Sequence, residues 1–153
     1  RIAAGRPTIA DVDDRTIPHE LDWLATAVHL AKGCYRGQET VAKVHNLGAP
    51  PRRLALLHLD GSESVLPAAG DAVTIDAAEV GRVTAAAHHH ELGPIALAVL
   101  KRSADPDASL VVLVGDDDVP VAAAQQVLVP PTAGHAHRPP RLPRLGAVRR
   151  PSA

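Results

Sequence analysis

Apolar residues in the first third of the chain recur at helical spacing. Leu21, Leu24 and Val28 stand at i, i+3 and i+7, which is one stripe of a helix. Thr16 and Pro18 lie at its start, and proline is tolerated in a first helical turn. The spacing predicts a helix over 18–30. A second, short helix is predicted from Glu39 to His45, with Val41 and Val44 on one side. Asn46 and Gly48 resemble its C-terminal stop, and Pro50-Pro51 then breaks the chain. From Arg52 the period becomes that of strands. Leu54–Leu59, Ala72–Ile75, Val80–Ala86, Pro94–Lys101, Leu110–Val114 and Val121–Val129 read as six short strands, with Gly, Asp and Pro between them. Near-regular spacing of that kind suggests a small antiparallel β-barrel, whose closure leaves no open edge. The fold class is therefore α+β, with short helices followed by a six-stranded barrel.

Composition changes this picture in one respect. Hydrophobic residues make up 46% of the chain, yet there is no Phe, no Met, one Trp (Trp23) and one Tyr (Tyr35). Packing must come from Val, Leu, Ile and Ala, which suits strands and close contacts between small residues. Trp23, beside the Leu21/Leu24 stripe, reads as core. The net charge of −1 gives no general attraction to nucleic acid or to anionic membranes. From His135 to Ala153 there are five arginines and no acid, and residues 130–153 hold six of the fourteen prolines. The stretch 131–153 reads as a disordered Pro/Arg-rich tail. No aromatic residue accompanies its arginines to stack on bases, which weakens an RNA reading. There is no apolar run of membrane-spanning length, and no signal peptide is expected. Arg1 opens the chain and Met is absent throughout, which suggests a chain truncated at its N-terminus.

A single cysteine, Cys34, excludes an internal disulfide and any site needing several thiolates from this chain. It fits a reducing, cytoplasmic setting. Cys34 sits in Lys32-Gly33-Cys34-Tyr35-Arg36-Gly37-Gln38-Glu39, between two glycines that suggest a tight loop. Thiolates are favoured by nearby cations and by helix N-termini. Lys32 and Arg36 flank Cys34 at two residues on either side, and the helix from Glu39 would aim its amides at the loop. Gly33 and Gly37 would let a ligand approach the backbone closely. The competing reading is that a lone cysteine is a small buried hydrophobe.

The string Lys32-Gly33-Cys34-Tyr35-x-Gly37-Gln38-Glu39 resembles the signature of the YgfZ-type folate-binding proteins, which are related to the glycine cleavage T protein. Arg1-Ile2-x-Ala4-Gly5-x-Pro7 and Ile17-Pro18-x-Glu20 resemble the segments ahead of that signature. Arg53-Leu54, Leu59-x-Gly61, Gly81-x-Val83-Thr84 and Leu92-Gly93-x-Ile95-Ala96-Leu97-Ala98 resemble the family's C-terminal barrel. The likeness covers about residues 1–130. It implies that 1–49 is the end of a folate-binding body and 52–130 a β-barrel domain. It also implies tetrahydrofolate as ligand in the full-length parent, bound weakly or not at all by this fragment. Family members act in assembling or maintaining iron–sulfur clusters, including that of an enzyme that modifies tRNA. Iron–sulfur proteins or their assembly machinery are the implied partners. The resemblance places the reactive thiol at Cys34, with Lys32 beside it. The T protein lacks the cysteine-bearing signature, which argues against an aminomethyltransferase; that activity and a non-catalytic docking barrel remain the alternatives.

The candidate folate-contacting residues are Glu20, Gly33, Tyr35, Gly37, Gln38, Glu39 and Arg52. A carboxylate at Glu20 can accept from pterin N–H groups, and Arg52 can pair with a glutamate tail. Equally, Glu20 favours a helix N-terminus and Arg52 is a charge at a strand start. Tyr35 either stacks on a pterin or packs under the loop. His88-His89-His90 cannot all face one ion, because side chains alternate along a strand, so an exposed turn is expected and no metal site. His135 and His137 are read in the same way.

Overall fold

The computed structural model describes residues 1–133. Six antiparallel strands close into a barrel: β1 (Arg52–Leu59), β2 (Ala72–Ile75), β3 (Ala78–His89), β4 (Gly93–Lys101), β5 (Leu110–Val114) and β6 (Val119–Val127). Their order around the barrel is β1-β4-β3-β2-β5-β6. Closure comes from β6 returning to β1, with Ala55 opposite Val127 and Leu59 opposite Ala123. The expected α+β class and all six strands are present. β3 is longer than predicted and takes in His88 and His89, while β6 begins and ends two residues earlier.

Alternation along β1 sorts its side chains between two cores. Ala55, Leu57 and Leu59 pack inside the barrel with Ala96, Ala98, Leu100, Val112 and Val121. Leu54 and Leu56 lie on the other face, where Ile2, Leu21 and Val129 cover them together with Ile95 and Leu97 of β4. Both faces of β1 and β4 are therefore buried, which is why these strands read as nearly continuous apolar runs. Alanine, valine and leucine fill the narrow interior, so a core without Phe or Met suffices. Trp23 packs against the outer cluster, as its place beside Leu21 suggested.

The helix predicted over 18–30 does not form as one element. Pro18–Leu21 is a 3-10 turn, Asp22 takes a left-handed conformation at φ 59°, and α1 is confined to Leu24–Ala27. Tertiary docking overrides the periodicity. Leu21 is buried on the outer face of the barrel, and Glu20 caps the turn by accepting from the Ile17 amide at 3.3 Å. Leu24 and Val28 are left half-buried. The second helix, α2 (Gln38–Leu47), is longer than predicted at both ends, and Gly48 stops it by donating to the Val44 carbonyl at 3.2 Å. The predicted tail from residue 134 on, with His135, His137 and the five arginines, lies outside the described residues. Among the described residues no helix is long and apolar enough to cross a membrane.

One position on the barrel strands is both charged and fully buried. Arg53 has no exposed surface; its Nη2 donates to the Ala104 carbonyl at 3.1 Å and to Gln125 Oε1 at 2.7 Å. Its Nε and Nη1 have no partner among the described residues. Burial lowers the Arg53 pKa, because the charged form loses solvation. Replacing a buried, incompletely paired ion with an apolar side chain of similar volume is often neutral or stabilising. Arg53→Met is therefore expected to leave the urea midpoint within about 1 kcal/mol of the wild type, or to raise it. A loss well beyond that would show that the guanidinium supplies net stability.

Candidate functional site

The loop Lys32–Gly37 is shaped by its last residues. Gly37 adopts φ 82° and caps α2, and a Cβ there would meet nothing within 4 Å. Glycine is thus required for the backbone conformation, not for space. Gln38 closes the loop: its amide donates to the Tyr35 carbonyl at 3.2 Å, and its Oε1 accepts from the Tyr35 amide at 3.3 Å. Glu39 is exposed in the first turn of α2, where a carboxylate complements the positive end of the helix. Lys32 places its ammonium 4.5 Å from the centre of the Tyr35 ring, a cation–π contact.

Cys34 is a free, exposed thiol. That removes the reading of a small buried hydrophobe and leaves the sulfur open to solvent and to reaction partners. Its neighbours Lys32, Tyr35 and Gly37 line a cleft of about 470 Å³, with Thr16, Pro18 and Val41 among the residues opposite. Gly33 is exposed, and a Cβ on it would touch nothing within 4 Å. Tyr35 is half-buried, with the Lys32 ammonium over its ring.

Glu20 and Arg52 are brought together, but as each other's partner. Arg52 donates to Glu20 from Nε (3.1 Å to Oε1) and from Nη2 (2.9 Å to Oε2). On its other side it grips Asp13, from Nη1 (2.6 Å to Oδ2) and from Nη2 (3.0 Å to Oδ1). The guanidinium is therefore forked between two carboxylates, and the Glu20 side chain has no exposed surface. Arg52 holds the Asp13 carboxyl below its ordinary pKa of 3.8, and the two carboxylates raise the Arg52 pKa. Each residue's first partner is thus within the chain, where the sequence had offered a pterin and a glutamate tail.

Asp13 and Thr16 are the members of this cluster that sequence reasoning missed. Residues 11–14 are acidic apart from Val12 and carry no periodicity. A signal was present in the spacing Asp13-x-x-Thr16, which folds as a side-chain-closed turn. The Asp13 amide donates to Thr16 Oγ1 at 2.9 Å, and Thr16 Oγ1 donates to Asp13 Oδ1 at 2.6 Å. That turn delivers Asp13 to Arg52 and sets Thr16 at the mouth of the cleft.

The histidine run gathers no metal cluster. His89 Nδ1 accepts from the amides of Glu91 and Leu92, both at 3.2 Å, and so caps the β3–β4 turn. Among the described residues no group of three or more His, Cys, Asp or Glu side chains is arranged to hold a metal ion.

Comparison with known proteins bears on the barrel and on the loop. Residues 52–130, about half of the chain, match the family described as the glycine cleavage T-protein C-terminal barrel domain. The chain is 30% identical over 144 residues to a chloroplastic protein of Arabidopsis thaliana that carries a provisional transferase name; the match covers 87% of this chain and 31% of that protein. It is 36% identical over 96 residues to the tRNA-modifying protein YgfZ of Aliivibrio fischeri strain MJ11, and equally so to that of a second strain. Those matches cover 60% of this chain and 30% of each relative. The chain spans about a third of the length of the curated relatives it matches.

Proposed function

The chain belongs to the family of the glycine cleavage T-protein C-terminal barrel domain, on its YgfZ-type side, and from this premise we propose that it is part of a folate-dependent accessory protein for iron–sulfur cluster assembly or maintenance. Its clients are iron–sulfur proteins, an enzyme that modifies tRNA among them, or the machinery that assembles their clusters. Cys34 is the reactive thiol, and Lys32 and Tyr35 shape the cleft beside it. Tetrahydrofolate is the ligand of the whole protein, with Gly33, Gly37, Gln38 and Glu39 forming the loop that faces it. Glu20 and Arg52, which pair with each other, contribute to the folate site of the whole protein.

The observation that carries the reading is the exposure of Cys34 on a loop whose neighbouring side chains line a cleft. A structural cysteine is normally buried, whereas a working thiol must be reached. Chemically, the exposed sulfur can act as a nucleophile or a transient metal ligand once it is deprotonated.

The test uses the natural gene product that carries this chain. Cys34→Ala is expected to lower the activity of an iron–sulfur client at least tenfold, in cells lacking the native protein. The same change should shift folding stability by no more than about 0.5 kcal/mol, as for an exposed side chain without a structural role. Full rescue of the client by Cys34→Ala would remove the role given to the thiol. Folate-dependent glycine cleavage by the purified protein would instead favour aminomethyl transfer.

A further inference from the structure

His19 follows Pro18 in the 3-10 turn and is only 3% exposed. Neither of its ring nitrogens has a hydrogen-bond partner among the described residues. His45 of α2 faces it, with ring centres 6.2 Å apart and planes inclined at 40°. The Nδ1 of His45 is likewise buried without a partner among the described residues. Both rings line a cleft of about 490 Å³ whose walls include the apolar Leu24, Val28 and Leu30, with Asp22 and His29 also on its lining; the Asp22 carboxylate disfavours an anionic occupant. Val28 lines both this cleft and the one beside the Cys34 loop.

Leaving a buried polar group unsatisfied is costly, and two imidazoles in one cleft concentrate that cost. The ring separation discriminates between occupants. An oxygen or nitrogen about 2.8 Å from one nitrogen of each ring sets the ring centres about 6 Å apart at a near-tetrahedral angle. A tetrahedral zinc ion, at about 2.0–2.1 Å from each nitrogen, would draw them to about 5 Å. No third ligating side chain joins the pair among the described residues. Burial lowers the His19 pKa, and the neighbouring His45 lowers it further. A neutral imidazole offers one donor and one acceptor, which an anion cannot use as a pair. The volume is in the range of small-molecule pockets, about 300–1,000 Å³, and far exceeds what bridging waters alone require.

We propose that the His19/His45 cleft binds a small neutral molecule with an apolar body and a hydroxyl group, which donates to one imidazole and accepts from the other. This site is independent of the Cys34 reading and is tested by binding, without a client enzyme. The 153-residue chain is titrated at pH 7.5 with benzyl alcohol as probe, following the ring C–H resonances of its histidines by NMR. Benzoate serves as the anionic control and toluene as the apolar control. Benzyl alcohol is expected to shift the His19 and His45 signals together, saturably in the millimolar range, and at least fivefold more tightly than either control. His19→Leu and, as a second variant on the more exposed ring, His45→Leu should each weaken binding about tenfold. His88→Ala, on the exposed strand end, should not change it. The proposal is overturned if no saturable shift occurs, if benzoate or toluene binds as well as benzyl alcohol, or if the folded variants keep wild-type affinity.

Discussion

Replacing Arg52 with alanine is expected to destabilise the chain by about 3–5 kcal/mol, the range for removing one partner of a buried ion pair. The reason lies with Glu20. Its carboxylate has no exposed surface, and two of the bonds that satisfy it come from Arg52 at 2.9 and 3.1 Å. Without the guanidinium an ion remains in the interior with the Ile17 amide as its one remaining partner in the described chain. Asp13 loses its partner too, though half of its side chain is exposed and water replaces much of what is lost. A double-mutant cycle separates the two effects. Glu20→Gln in the Arg52→Ala background removes the stranded charge and keeps an oxygen to cap the 3-10 turn, so it should recover part of the loss. Acid provides a second reading of the same network. Arg52 holds the Asp13 carboxyl below its ordinary 3.8 in the folded state. A carboxylate so depressed contributes stability that is fully present above its unfolded pKa and is lost as pH falls through the folded value. That contribution is missing from the variant, so the gap between wild type and Arg52→Ala should narrow below about pH 4. Urea unfolding at pH 7, 4 and 2.5 decides the matter. A variant within 1 kcal/mol of wild type at pH 7, or a gap that stays constant into acid, would refute the account.

The same network explains which parts of the site were legible in the sequence. The loop could be read from Lys32 to Glu39 because its geometry is local: Gly37 supplies a left-handed backbone, and Gln38 closes on Tyr35 three residues away. The strands were legible for a local reason too: β5 alternates, while β1 and β4 are short apolar runs bounded by turn residues. Glu20 and Arg52 were picked out for their chemistry, but their pairing spans 32 residues and no pattern along the chain announces it. The sequence therefore offered a ligand contact or a structural charge for each, and could not show that they pair with one another. The long helix over 18–30 failed because burial of Leu21 against β1 and β4 is a tertiary gain that the stripe Leu21/Leu24/Val28 cannot reveal. His19 and His45 were passed over because a single histidine beside apolar residues carries no signal until the fold brings a second one opposite it. Arg53 could not have been found, since an arginine next to another at a strand start looks exposed until the barrel closes around it.

Gly81→Ala is expected to destabilise the barrel by about 3 kcal/mol or more, at the upper end of what overpacking costs. Gly81 stands on β3 between two irregularities. The pairing with β2 slips between Val73 and Thr74, so that Val80 is left over, and the pairing with β4 slips between Val83 and Ala85, so that Thr84 is left over. Extra residues of this kind bend a strand, and β3 must bend to carry the sheet around from β4 to β2. At the bend the two backbones come unusually close. A Cβ on Gly81 would lie 2.3 Å from the Val99 carbonyl oxygen and 2.8 Å from the Leu100 Cα. Neither atom can retreat cheaply, because β4 is hydrogen-bonded on its other edge to β1 and Leu100 is fully buried inside the barrel. Relief must come from opening the β3–β4 ladder or from shifting the core. Gly33→Ala provides the contrast: a Cβ there touches nothing within 4 Å, so its stability should stay within about 0.5 kcal/mol of wild type. The comparison is made by urea unfolding of the three chains, with exchange of the β3 and β4 amides followed by NMR. Loss of protection should begin in those two strands, since that is where the added methyl group collides. If Gly81→Ala unfolds within 1 kcal/mol of wild type with protection unchanged, β4 yields at that point and tight closure is not what confines this position to glycine.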